Sequence, residues 1–129
     1  MIKNFLDLVG RIFISSIFIF SGISKILNFD NNLQWMEGYG VPGILLYPAI
    51  LIEIILPILI IVGYKTKFAA TLLFLFCLMT AFIFHNDFSN QGQLVAFFKN
   101  ISLAGGLLLF IVNGTKRWAI ETKKNYVRL

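Results

Sequence analysis

The chain has 129 residues, a length suited to one domain, and 58% of them are hydrophobic, including 14 phenylalanines. Only 13% are charged, too few to cover a soluble surface, and the mean hydropathy is +0.84. These values exclude a soluble globular domain and point to an all-α integral membrane protein, a bundle of transmembrane helices. The formal net charge of +5 does not indicate a nucleic-acid partner, because the basic residues lie between and after apolar segments rather than on one amphipathic face. The single cysteine, Cys77, excludes an intrachain disulfide and a CxxC redox pair.

Four apolar segments follow in order, at about 5–27, 43–63, 67–85 and 94–112, within one membrane domain covering 1–129. In the first, Arg11 and Lys25 bracket an uncharged run shorter than the ~20 residues of a full span, so both cations belong near or inside the membrane boundaries. Gly22-Ile23-Ser24 meets the small-x-small pattern of a cleavage site, but a retained first helix serves the bundle. The stretch 28–41 is a polar connector with Trp35 and Tyr39, residues that favour the interface. The second segment carries Glu53 near its midpoint and Pro48 and Pro57, which should bend it or free backbone carbonyls. Gly63-Tyr64-Lys65-Thr66-Lys67 reads as a tight basic turn. The third segment is uncharged and ends at His85-Asn86-Asp87, and its phenylalanines read as lipid-facing or packing surface. The fourth contains Lys99, Asn100 and the small pair Gly105-Gly106, which lets helix backbones approach. The tail, 113–129, carries Lys116, Arg117, Lys123, Lys124 and Arg128 and is expected along the membrane surface. Four spans put both termini on the side of Lys65 and Lys67, and the excess of Lys and Arg there makes that side cytoplasmic.

On the first helix Arg11, Ser15, Phe18, Gly22 and Lys25 recur at spacings of four and three, forming one stripe that must face the bundle. The ~1.5 Å helical rise places Lys25 ~3 Å from the outer boundary, Lys99 ~8 Å, Glu53 ~15 Å and Arg11 ~24 Å. By depth, Glu53 is expected to pair with Lys99, with Arg11 as the alternative partner. Two readings stay open. In one, the charges are polar glue between helices. In the other, Lys25, Glu53, His85 and Lys99 line a small outward-opening cavity, with Arg11, Ser15 and Asn100 as polar support, because intramembrane ionisable groups mark function by default. A quinone would suit such a cavity, its ring among aromatic side chains and its carbonyls on His or Lys. One histidine without a cysteine cluster leaves no zinc or haem site, so no metal is expected. No glycine-rich phosphate loop is present either.

Arg11 followed by Ile19-Phe20-Ser21-Gly22-Ile23-Ser24-Lys25-Ile26-Leu27 resembles the first-helix signature of the DoxX family. The resemblance continues through Tyr39-Gly40-Val41-Pro42, Glu53, Gly63-Tyr64-Lys65-Thr66-Lys67-Phe68-Ala69-Ala70 and Phe98-Lys99-Asn100-Ile101-Ser102-Leu103-Ala104-Gly105-Gly106-Leu107. It implies a small four-span bacterial inner-membrane protein. Family relatives include the membrane subunit of an archaeal thiosulfate:quinone oxidoreductase and a mycobacterial member that forms a complex with a superoxide dismutase and a thiol-handling enzyme. The resemblance therefore implies a quinone-linked membrane subunit rather than a complete enzyme, in contact with membrane lipid, with a soluble redox protein as partner and room for an oligomer. The alternative is a non-catalytic anchor or scaffold that recruits a soluble protein through the basic tail.

Overall fold

The computed structural model describes residues 1–116 and 118–120. Its helices are α1 (Ile2–Leu27), α2 (Phe29–Gly38), a 3-10 turn (Gly43–Leu45), α3 (Leu46–Val62), α4 (Thr66–Phe84) and α5 (Gln91–Asn113). Four of these, with the 3-10 turn counted into α3, are long and apolar enough to cross a membrane. The stretch 28–41 is not merely a connector, because most of it folds as α2. Phe29, Leu33 and Met36 recur at spacings of four and three, and Met36 is buried while Asp30, Gln34 and Glu37 are exposed. Gly40, at φ +78°, turns the chain away after this helix.

Packing follows chain order: α1 lies against α3, α3 against α4, and α4 against α5, whereas the backbones of α1 and α5 make no comparably close approach. Small residues make the central contacts, with Ala69, Ala70, Cys77 and Ala81 of α4 and Ala104 of α5 buried beside Leu73 and Leu107. Long apolar side chains such as Phe13, Phe20, Phe82 and Phe98 point outward, as they do on a surface solvated by lipid. Pro48 falls in the first turn of α3, where its missing N–H has no intrahelical partner to lose. Pro57 lies inside the helix and withholds the N–H that would bond the carbonyl of Glu53.

The buried face of α1 is Arg11, Ser15, Phe18 and Gly22. Arg11 is fully buried and closes the end of the bundle where α1 begins and α3 ends. Its Nε donates to Asp7 Oδ2 at 3.0 Å and its Nη1 to the carbonyls of Ile61 at 2.6 Å and Ile60 at 3.3 Å, while Nη2 donates to the carbonyl of Trp118. The Ile60 and Ile61 carbonyls belong to the last turn of α3, where helix geometry leaves acceptors unpaired and partial negative charge gathers. Gly63 ends that helix at φ +74°, and its N–H and that of Tyr64 bond back to Leu59. The chain after α5 folds back here: Lys116 N–H donates to Asp7 Oδ2 and Ile120 N–H to the Val62 carbonyl. Trp118–Ile120 thus meet the ends of α1 and α3, while Arg117, Lys123, Lys124 and Arg128 lie outside the described residues. Ser15 is buried, and its hydroxyl has no hydrogen-bond partner among the described residues.

Arg11→Leu would leave Asp7 without its cation and remove the guanidinium donors from the Ile60 and Ile61 carbonyls. Loss of one member of a buried ion pair costs ~3–5 kcal/mol in soluble proteins. We expect the variant to unfold at clearly lower SDS fraction in mixed micelles, with the exposed-site control Asp30→Asn unchanged. Equal midpoints for the two variants would show that the cluster does not hold this end together.

Candidate functional site

The site begins with a close approach. Gly22 of α1 faces α3 so tightly that a Cβ there would sit 2.7 Å from Ile54 Cγ1 and 3.2 Å from Glu53 Cβ. With no side chain in the way, the neighbouring turns of α1 reach the Glu53 carboxylate. Lys25 Nζ lies 2.8 Å from Glu53 Oε2 and donates to Oε1 at 3.1 Å. Ser21 Oγ donates to Oε1 at 3.2 Å and accepts from Lys25 Nζ at 2.9 Å. Glu53 is 4% exposed, so its charge is matched by an ammonium and a hydroxyl rather than by water.

This arrangement corrects the pairing expected from depth. Glu53 bonds neither Lys99 nor Arg11. Depth is one coordinate only: α3 packs on α1, and α5 is not its neighbour in comparable contact, so Lys99 sits across a gap. The long Lys25 side chain reaches inward from the rim over the distance that depth alone made unfavourable. Arg11 is turned to the opposite end.

The gap between α1, α4 and α5 is a cavity of about 310 Å³. Lys25, Glu53, His85, Lys99 and Asn100 all contribute to its lining. His85, just after α4, holds its Nδ1 3.0 Å from Gln93 Oε1. An amide oxygen only accepts, so Nδ1 is the donor of this contact in the tautomer that carries its proton there, and that tautomer leaves Nε2 free to accept. Asn100 Nδ2 donates to Thr80 Oγ1 at 3.1 Å, tying α5 to α4, and Thr80 Oγ1 donates to the Cys77 carbonyl at 3.1 Å. Lys99 has no hydrogen-bond or ion-pair partner among the described residues. No cluster of His, Cys, Asp and Glu among the described residues could hold a metal ion.

A second cavity of about 380 Å³ adjoins the first, between α2, α3 and α4, with walls that are mostly apolar. Lys25, Asn32, Phe76, Thr80 and His85 line both. Sequence reasoning missed Ser21, Asn32, Phe76 and Thr80. Ser21 was detectable as the residue one helical turn before Lys25. Phe76 belongs to the α4 phenylalanines read as lipid-facing or packing surface, yet it stands in the wall between the cavities.

A double-mutant cycle separates the two possible pairings. Contacting residues couple by ~0.5–3 kcal/mol and distant ones add within ~0.5 kcal/mol. Stabilities of Glu53→Gln and Lys25→Met should therefore couple, and those of Glu53→Gln and Lys99→Met should add. Coupling to Lys99 alone would reverse the assignment.

The family model described as DoxX matches residues 6–86. The chain is 36% identical over 118 residues to the inner membrane protein YqjF of Escherichia coli strain K12, covering 92% of this chain and 91% of that protein. It is 35% identical over 114 residues to the inner membrane protein YphA of the same strain, covering 83% and 81%. It is also 28% identical over 127 residues to the ER-derived vesicles protein ERV29 of Saccharomyces cerevisiae, covering 95% of this chain but 34% of that longer protein. No solved structure matches. The family match and the two bacterial relatives, together with four helices of spanning length, make this chain a DoxX-family inner-membrane protein.

Proposed function

We propose that the chain is a redox-associated membrane subunit that holds a quinone-type molecule in the paired cavities. The observation that supports this is the convergence of Lys25, Glu53, His85 and Lys99 on one cavity at one end of the bundle, continuous with an apolar cavity. Each cavity alone lies at the lower edge of the ~300–1,000 Å³ usual for small-molecule sites. Lys99 would donate to a quinone carbonyl and His85 Nε2 would accept from a quinol hydroxyl. In this reading Glu53, hydrogen-bonded by Lys25 and Ser21, would relay a proton. The chain has no cysteine pair to carry electrons, so the electron donor is a soluble redox partner in this reading. The charge distribution assigns the cavity end to the non-cytoplasmic side, which a topology reporter fused at Asn32 checks: a cytoplasmic signal there contradicts it.

Protein purified from its native membrane in mild detergent should release quinone into solvent, detected by mass spectrometry well above the level from an unrelated four-span protein. His85→Ala and Lys99→Ala, folded normally, should lose most of it. Quinone at the background level in the unsubstituted protein would defeat the quinone site and favour a non-catalytic anchor.

A further inference from the structure

The charges around the polar cavity do not cancel. Lys25 is matched by Glu53 within hydrogen-bond distance, and His85 is engaged through Nδ1 by a neutral amide. Lys99, on the third turn of α5, lines the same cavity with its side chain exposed and is met by no carboxylate among the described residues. A lysine inside a membrane-spanning helix is costly without a counter-charge, and it is kept where something supplies one. Asp30, Glu37 and Asp87, on the connecting segments at this end, are exposed and line neither cavity.

The second cavity completes the shape. Its walls are made by Trp35 and Met36 of α2, Ile52 of α3 and Met79 and Ile83 of α4, and it meets the polar cavity at Lys25, Phe76 and His85. A compact head seated by Lys99 would have an apolar chain leading into this second space.

We infer that the two cavities form one binding site for a single-chain amphiphile whose head carries one negative charge, with Lys99 as the group that holds the head. The inference rests on reading the polar cavity as a head-group site, but it concerns charge, not redox chemistry. It distinguishes an anionic head from the neutral quinone ring, and a quinone satisfies it only when its ring bears an ionised hydroxyl. Charge-assisted hydrogen bonds are the stronger kind, so discrimination between heads of different charge should be large.

The test uses probes of one chain length and three head charges: decyl sulfonate, decanol and decyltrimethylammonium, with a decyl-substituted benzoquinone as a fourth. Trp35 lines the apolar cavity, and Trp118→Phe, which keeps the backbone carbonyl used by Arg11, leaves Trp35 as the only tryptophan reporter. Titrations of the detergent-solubilised full chain are compared at equal mole fraction in the micelle. Decyl sulfonate should bind about tenfold or more tightly than the other two chain-matched probes. Lys99→Gln should erase that preference and Lys99→Arg should keep it. Equal binding of sulfonate and decanol, or a preference that survives Lys99→Gln, overturns the inference. Benzoquinone binding without a sulfonate preference overturns it while leaving the quinone reading intact. A sulfonate preference with no benzoquinone binding supports it and removes the quinone reading. A lack of response to every probe overturns both.

Discussion

A carboxylate in the middle of an apolar helix must be neutralised locally, and the Glu53–Lys25 pair is how this chain does it. The pair requires α1 and α3 to touch, which Gly22 permits by having no side chain to place between them. It also draws Lys25 inward, where an unpaired lysine near a helix end would extend toward the interface. The Glu53 region of α3 is further marked by Pro57, which leaves the Glu53 carbonyl without its ladder donor. Because α1 is committed to α3 on this side and α5 packs mainly on α4, the space between α1 and α5 at this end stays open as a polar cavity.

The same stripe of α1 carries both cations, and they do different work. Arg11 is spent on carbonyls: its planar guanidinium reaches Ile60, Ile61 and Trp118 while its Nε holds Asp7, so one side chain joins α1, the end of α3 and the returning chain. No residue of that cluster lines either of the two cavities described above. Lys25 stands between two cavities and shares its ammonium between Glu53 and Ser21. The polar groups of the bundle are therefore neither all glue nor all site. One end is a closed structural clamp, and the other is a partly neutralised chamber with Lys99 unmatched on its far wall.

The spanning helices were legible because length and apolar composition suffice for them, and the inward stripe of α1 because both cations share its spacing. α2 was hidden by its polar composition, although Phe29, Leu33 and Met36 carry a helical repeat. The partner of Glu53 was not legible from depth, because which helix neighbours which is a second coordinate that hydropathy does not contain. Gly22 was the residue that could have supplied it, since a glycine on a stripe otherwise facing the bundle marks the place of closest approach. The adjoining apolar cavity depends on how α2 seats against α3 and α4, for instance through the Tyr39–Phe84 ring contact at 5.2 Å, and no single-segment pattern encodes that.

The pairing on which this account depends can be observed directly in a bilayer. Solid-state NMR on protein with 15N-lysine and 13C-glutamate side chains reports dipolar coupling between ammonium and carboxylate groups in contact. The account predicts a strong Lys–Glu coupling that disappears in Lys25→Gln and persists in Lys99→Gln. A coupling lost in Lys99→Gln and retained in Lys25→Gln would contradict it.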